Sequence, residues 1–242
     1  MLIKFIHALG AGETVATVIG IALCVIVSYL LGSLNFGIIF SRLFYKEDVR
    51  SSGSGNAGST NMLRTYGKRA GIITFAGDCL KTAVSIGIGF LISDITGMFI
   101  GGIACMVGHA YPVFFKFKGG KGVACFAILV LITSITMGMW YLFVTLFVLF
   151  FILVIWTRFV SLGSIICSLL YPVMLNRFVD MVATNIENTE AAESVLALHG
   201  FEIYAVFAAF FVVFLHRSNL VRLLTGKENK ISLSKKKDGE KK

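Results

Sequence analysis

Charge is scarce in this 242-residue chain: 14% of its residues are Asp, Glu, Lys or Arg, and acidic residues number only 13 against 22 basic ones. Soluble domains carry about 25% charged residues, so a water-facing globular surface is excluded for most of the chain. The sequence has no CxxC spacing. Its five cysteines (Cys24, Cys79, Cys105, Cys125, Cys167) all fall in apolar runs, where buried reduced thiols are expected rather than disulfides or a zinc site. No His, Cys and carboxylate residues are grouped at ligand spacing, so no structural metal is predicted and no cofactor is assigned. The first apolar run, Val15 to Phe44, is too long for the ~7–15-residue core of a signal peptide and no small-residue cleavage site follows it. Nor is there an H-x-x-x-x-D pair, as found in acyltransferases that draw on thioester donors. The acid position holds Gly12 after His7, Phe114 after His109, Tyr204 after His199 and Val221 after His216.

What the chain does have is apolar length. Hydrophobic residues make up 57% of it and the mean hydropathy is +0.85. Further apolar runs follow the first at about 70–93, 95–112, 122–138, 140–157, 161–177 and 203–216. Each approaches the ~20 residues that cross a hydrocarbon core. The expected fold is therefore an all-α integral membrane protein, a bundle of about seven transmembrane helices. Residues 1–231 form one membrane domain and 232–242 a basic cytoplasmic tail without fixed structure. With seven spans, the loops at about 42–69, 116–121, 157–160 and 217–242 share one side and hold nineteen of the 22 basic residues. The opposite side keeps Lys4 and Arg177, while its loop near 178–200 carries Asp180, Glu187, Glu190 and Glu193. The positive-inside rule then places the N-terminus outside and the C-terminus in the cytoplasm.

The unusual residues lie in the cytoplasmic segments. Residues 108–124 place His109, Lys116, Lys118 and Lys121 among four glycines. The Gly119-Gly120-Lys121-Gly122 tetrad suits a loop whose bare N–H groups form an anion-binding concavity beside a mobile cation. Residues 53–58 match G-x-G-x-x-G, but no strand precedes them and a dinucleotide site is not expected. Ser54, Asn56, Thr60 and Asn61 instead offer small polar groups, and Arg64 and Lys68, at i and i+4, would share a helix face. Such a set fits a phosphate with several oxygens. Asp78 and Lys81 stand three apart within a span, the spacing of an intramembrane ion pair. Ser161 and Ser164 are also three apart, and serines in membrane helices often bond only their own backbone. The last span ends in a segment where His216, Asn219 and Leu223 have the spacing of one helix face and Arg222 lies three beyond Asn219, a pattern that also suits an amphipathic anchor at the membrane surface.

Taken together, these segments resemble the bacterial acyl-phosphate:glycerol-3-phosphate acyltransferases. The family pattern G-S-G-N-x-G-A-T-N-x-x-R is matched by residues 53–64, with Ser59 where alanine is usual. The pattern G-H-x-x-P-x-F-x-x-F-x-G-G-K-G-V-A is matched throughout by 108–124. The pattern H-R-E-N-I-x-R-L-x-x-G-x-E is matched by 216–228, with Ser218 for glutamate and Leu220 for isoleucine. Residues 32–37 are similar to a further element in which Asn35 replaces proline. The resemblance covers about residues 27–231.

The resemblance implies a seven-span inner-membrane enzyme. It would transfer a fatty acyl group from acyl phosphate to the 1-hydroxyl of glycerol 3-phosphate, giving lysophosphatidate and phosphate. It carries over Ser54, Asn56, Thr60, Asn61, Arg64 and Lys68 as polar lining and anion ligands, and Gly119, Gly120, Lys121 and Gly122 as a phosphate loop. Ser161, Ser164, His216, Asn219 and Arg222 would orient a substrate head. His109 is a general-base candidate, because its ordinary pKa is near physiological pH; a substrate phosphate oxygen is the other acceptor for the hydroxyl proton. Membrane lipid is the surrounding partner, and no protein partner is implied. The alternative is a transporter of phosphate or an organophosphate with the basic loops as its vestibule, though no internal repeat or matched broken helices accompany it.

Overall fold

The computed structural model describes residues 12–184 and 189–231. Lys4, Glu187 and the basic tail at 232–242 lie outside the described residues. The described chain is helical between short connections: α1 (Glu13–Ser33), α2 (Phe36–Tyr45), α3 (Ser59–Tyr66), α4 (Lys68–Ala110), α5 (Val123–Thr136), α6 (Trp140–Thr157), α7 (Val160–Thr184), α8 (Thr189–Leu215) and α9 (Arg217–Leu224). Single 3-10 turns stand at Val49–Ser51 and Val113–Phe115. Among the described residues, four helical stretches are long and apolar enough to cross a membrane: Thr14–Tyr45, Lys68–Phe115, Trp140–Thr157 and Val160–Met181. Counting the bent pair Gly200–Leu215 and Arg217–Leu224 as one span makes five, and Val123–Thr136 is a shorter apolar helix.

The 43-residue α4 is not one rod. Ser93 (φ −147°, ψ 45°) and Asp94 (φ 47°, ψ −137°) leave helical geometry, and the chain doubles back there. Gly89 on the first arm meets the backbone of Gly97 on the second, and farther along Ser85 meets Gly101 and Lys81 meets His109. The partners' numbers rise on one arm as they fall on the other, which is the register of an antiparallel helical hairpin (arms 68–92 and 95–110). A methyl on either Gly89 or Gly97 would overlap the opposite backbone. Inside lipid, where apolar association gains nothing from excluding water, such close small-residue packing holds helices together.

Around the hairpin sits the largest apolar cluster, in which Phe99, Met106, Leu129, Leu142, Tyr171 and Val212 are fully buried. Outward faces carry the opposite pattern: Phe147, Ile152, Ile155 and Phe210 are exposed, as lipid-facing positions are. The five cysteines are free, with Cys79 half-buried and the other four buried.

Between α1 and α2 the chain breaks at Leu34-Asn35. Asn35, fully buried, caps α2 by accepting a hydrogen bond from the Ile38 N–H at 3.2 Å. The break leaves the carbonyls of Gly32 and Leu34 without helical partners. Lys81 Nζ, from the first arm of α4, donates to both, at 2.9 and 3.0 Å.

Candidate active site

Four segments far apart in sequence meet at one end of the bundle and enclose a cavity of about 310 Å³. The 52–66 segment supplies Ser54, Asn56, Thr60, Asn61 and Arg64. The loop after α4 supplies Lys121 and Gly122, the start of α7 supplies Ser161 and Ser164, and the end of the described chain supplies His216, Asn219, Arg222 and Glu228. Asp78 and His109 form part of the wall, and Phe75, Phe150, Phe151 and Val154 line an apolar side.

The first segment is built around one side chain. Asn61 Oδ1 accepts from the Ser54 N–H at 2.8 Å, and the two protons of its Nδ2 are shared among the carbonyls of Val49, Ser52 and Asn56 at 2.9–3.0 Å. Asn61 therefore shapes the loop, its amide committed to backbone, while Ser54, Asn56 and Thr60 ride on it. α3 then ends at Gly67 (φ +88°), and α4 begins afresh at Lys68. This break corrects the expectation that Arg64 and Lys68 share a helix face. The i, i+4 register does not cross Gly67; Arg64 lines the cavity, and Lys68 is exposed and is not among the lining residues.

The Gly119–Gly122 loop also departs from the expected concavity. The Gly119 and Gly120 N–H groups donate to the carbonyls of Ala110 and His109, each at 3.0 Å, so neither is free to bind an anion. Their lack of side chains serves packing instead. A methyl on Gly119 would strike the His109 carbonyl, and one on Gly120 would strike the His109 imidazole. The pair seats Lys121 and Gly122 in the cavity without lining it.

Lys121 Nζ donates to Asn219 Oδ1 at 2.6 Å. Asn219 Nδ2 in turn donates to Glu228 Oε1 at 2.6 Å, which Ser161 Oγ also approaches at 2.9 Å; Arg222 Nε donates to Glu228 Oε2 at 2.9 Å. Glu228, with a side chain only 6% exposed, is thus the hub that ties α7 and α9 together. Burial works against its ionisation, but the hydrogen bonds from Asn219, Ser161 and Arg222 hold the carboxyl below the usual range. Burial and the repulsion of Arg222 and Arg64 outweigh the pull of Glu228 on Lys121, and bring its ammonium down to about 8.

His216 Nδ1 lies 2.8 Å from the Val212 carbonyl, which can only accept, so Nδ1 carries a proton. Ser164 Oγ donates to the Val160 carbonyl at 2.9 Å, and with Ser161 bonded to Glu228 both serines keep only acceptor capacity for a ligand. His109 is 3% exposed. Its Nδ1 is 3.0 Å from Lys81 Nζ and 3.4 Å from Asp78 Oδ1, while Lys81 and Asp78 pair at 2.9 Å. The ion pair read from the sequence is present, with His109 as a third member.

Sequence reasoning assigned no role to Glu228, although a single carboxylate among the cations of the last segment was a signal. Arg50 was equally unassigned. Its Nε and Nη2 hold both oxygens of Asp48, at 2.9 and 2.7 Å, and its Nη1 donates to the carbonyls of Phe115 and Lys118 at 2.9 and 2.7 Å. The guanidinium of Arg50 keeps the Asp48 carboxyl well below its ordinary value. Between those two carbonyls, Lys116 and Phe117 both have positive φ (58° and 56°), a costly conformation for residues other than glycine. Arg50 thus fastens the loop after α2 to the strained start of the loop after α4.

The glycerol-3-phosphate acyltransferase family model matches residues 22–226. A glycerol-3-phosphate acyltransferase from Thermoanaerobacter sp. (strain X514) is 37% identical over 209 residues, covering 86% of this chain and 94% of the relative. Among solved structures, PlsY (YgiH), an integral membrane glycerol 3-phosphate acyltransferase, superposes in its glycerol 3-phosphate form with a TM-score of 0.72 and 33% identity, over 88% of this chain and 96% of that one. Its lysophosphatidic acid form gives 0.69 and 32%, over 88% and 95%. The transporter alternative finds no support among these relatives.

Proposed function

The chain belongs to the glycerol-3-phosphate acyltransferase family, and from that premise we propose that it draws its acyl group from an acyl phosphate and works at the cytoplasmic face of a bacterial inner membrane. Acyl transfer to glycerol 3-phosphate is the reaction of the family, and the protein is a bacterial membrane enzyme of phospholipid synthesis. The observation that carries the choice of donor is the concentration of cations around one small cavity: Lys121, Arg64 and Arg222 line a space of about 310 Å³. Two phosphorylated substrates meeting there repel each other, and three cations offset that repulsion where charge builds up in the transition state.

In this reading the glycerol 1-hydroxyl oxygen attacks the acyl carbonyl carbon. The bond from that carbon to the phosphate oxygen breaks, and the hydroxyl proton leaves on the departing phosphate. The mixed anhydride is already activated, so no covalent intermediate on the protein is needed. His216, Asn219 and the serine oxygens of Ser161 and Ser164 orient the glycerol phosphate, with Ser54, Asn56 and Thr60 closing the other side. The acyl chain enters past Phe75 and Phe151, which are both exposed toward lipid and line the cavity.

The topology we infer counts seven spans: α1 with α2, the two arms of the α4 hairpin, α5, α6, α7 and the bent α8–α9 pair. The N-terminus lies outside, and residues 1–231 act as one membrane domain. This arrangement puts the four site segments and most of the basic residues on the cytoplasmic side.

The test supplies the purified protein in detergent with glycerol 3-phosphate and one of palmitoyl phosphate, palmitoyl-CoA or palmitoyl carrier protein. Lysophosphatidate with equimolar phosphate from the acyl phosphate alone is the expected result. Product from the thioesters only would overturn the assignment of the donor.

A further inference from the structure

We propose that His109 serves the reaction as a neutral hydrogen-bond donor through Nε2–H, and that the buried Lys81 is the positioning residue that holds it in this tautomer. The inference rests on the acyltransferase reading and deepens it by assigning a role to a cluster beneath the site. An ammonium nitrogen has three protons and no lone pair. Lys81 Nζ makes three hydrogen bonds, to the Gly32 carbonyl at 2.9 Å, the Leu34 carbonyl at 3.0 Å and His109 Nδ1 at 3.0 Å, while Asp78 Oδ1, equally near, lies off these directions and takes no hydrogen bond from it. Toward a nitrogen that only donates, His109 Nδ1 accepts; Asp78 Oδ1, at 3.4 Å, is beyond ordinary hydrogen-bond reach of Nδ1 and takes no bond from it, so the ring proton sits on Nε2. Asp78 Oδ1, 2.9 Å from Lys81 Nζ, supplies the balancing charge, and both side chains are only 2% exposed. The two carbonyls are the unsatisfied end of α1, a place where a cation is favoured.

The other edge of the ring meets the active-site loop. Nε2 lies against Gly120, where any side chain would overlap it, and His109 lines the cavity together with Lys121 and Asn219. Glycine at 120 therefore keeps any side chain off the Nε2–H where His109 reaches the cavity wall. A fixed donor there gains strength as negative charge grows on an acyl or phosphate oxygen. A general base would need a lone pair at Nε2, and this tautomer has none. In this chemistry His109 gives a hydrogen bond and takes no proton from the glycerol hydroxyl.

The experiment reads the tautomer directly. Protein labelled with ¹⁵N-histidine is studied in detergent at neutral pH, and the His109 signals are assigned by difference with His109→Gln. A bare Nδ1 with a protonated Nε2 is expected; a protonated Nδ1 with a bare Nε2 overturns the proposal. This readout needs no turnover, so it separates from the acyltransferase reading, which fails if no donor yields lysophosphatidate. In the assay, His109→Gln, whose amide still donates, should stay within about tenfold of the parent kcat, while His109→Ala loses on the order of 100-fold. A glutamine variant as inactive as the alanine variant overturns the donor role. The double variant Lys81→Met/Asp78→Asn, which removes both buried charges together, should mix the His109 tautomers. It should lower kcat about tenfold with KM for glycerol 3-phosphate little changed. A single unaltered tautomer in that variant removes Lys81 from its positioning role.

Discussion

Lys121 and Asn219, 98 positions apart, are joined by a 2.6 Å hydrogen bond from the ammonium to the amide oxygen. That contact joins the loop after α4 to α9, and through Glu228 it reaches α7 as well. Lys121 is thus aimed by a chain of hydrogen bonds, not only by its own loop.

Because Lys121 is brought down to about 8, its charge is lost within an accessible pH range. A depressed ammonium is fully protonated well below 8 and neutral well above it. We expect kcat/KM to fall as pH rises through about 8, by about tenfold per unit on the alkaline limb. Lys121→Arg should move that limb beyond pH 10 at reduced turnover. Lys121→Ala should lose most activity while remaining folded and inserted. A pH–rate profile of the three proteins checks this, and an unshifted limb in the arginine variant would assign it to another group.

Glu228→Gln should weaken the site more through geometry than through charge. The glutamine keeps one acceptor oxygen, but its amide nitrogen cannot accept from Arg222 or from Asn219 and Ser161. Lower kcat/KM and a lower thermal midpoint in detergent are expected together, because breaking one partner of a buried pair leaves the other uncompensated. Arg222→Gln should share the defect, and combining it with Glu228→Gln should cost less than the two separate losses added together.

Gly120→Ala tests the contact between the loop and His109. The added methyl overlaps the imidazole, so the ring or the loop must shift. A misplacement of about 1 Å can cost on the order of 100-fold in rate. The variant should insert and fold normally yet show that scale of loss, measured as kcat/KM against thermal midpoint.

Arg50→Ala releases the carbonyls of Phe115 and Lys118 from their clamp. With Lys116 and Phe117 still held at positive φ, the loop should open, and limited proteolysis at 113–118 should quicken. Arg50→Lys restores charge but not the fork that grips Asp48 and both carbonyls, so it should rescue only in part.

The helical class, the membrane setting and the positions of the apolar runs were legible in the sequence because hydropathy varies over the length of a span, and a span is long. The ion pair of Asp78 and Lys81 was legible because i, i+3 spacing suffices to close it. The convergence of Ser54, Arg64, Lys121, Ser161, His216 and Asn219 on one cavity followed from motif resemblance. What misled was local spacing read without backbone geometry. Gly67 breaks the helix between Arg64 and Lys68, and the N–H groups of Gly119 and Gly120 are taken up by the end of α4. The roles of Arg50, Glu228 and the Lys81–His109 contact depend on partners 28 to 68 residues away or on a fold-back between segments, and no window along the chain shows those.

The hairpin at Ser93-Asp94 also bears on how the protein is made. Asp78 and Lys81 sit on the same arm and can close their pair before any other helix arrives, so the stretch of that arm beyond Arg69 can enter the bilayer electrically neutral. An unpaired charge at a helix centre costs about 2.5–3.5 kcal/mol to insert. His109 and the carbonyls at the end of α1 belong to other segments and reach Lys81 only when the helices dock. The cluster beneath the site therefore has two stages: a self-contained pair that lets the chain enter the membrane, and a completed set that exists only in the assembled bundle. Catalytic competence would then be acquired at the last docking step, after insertion is over.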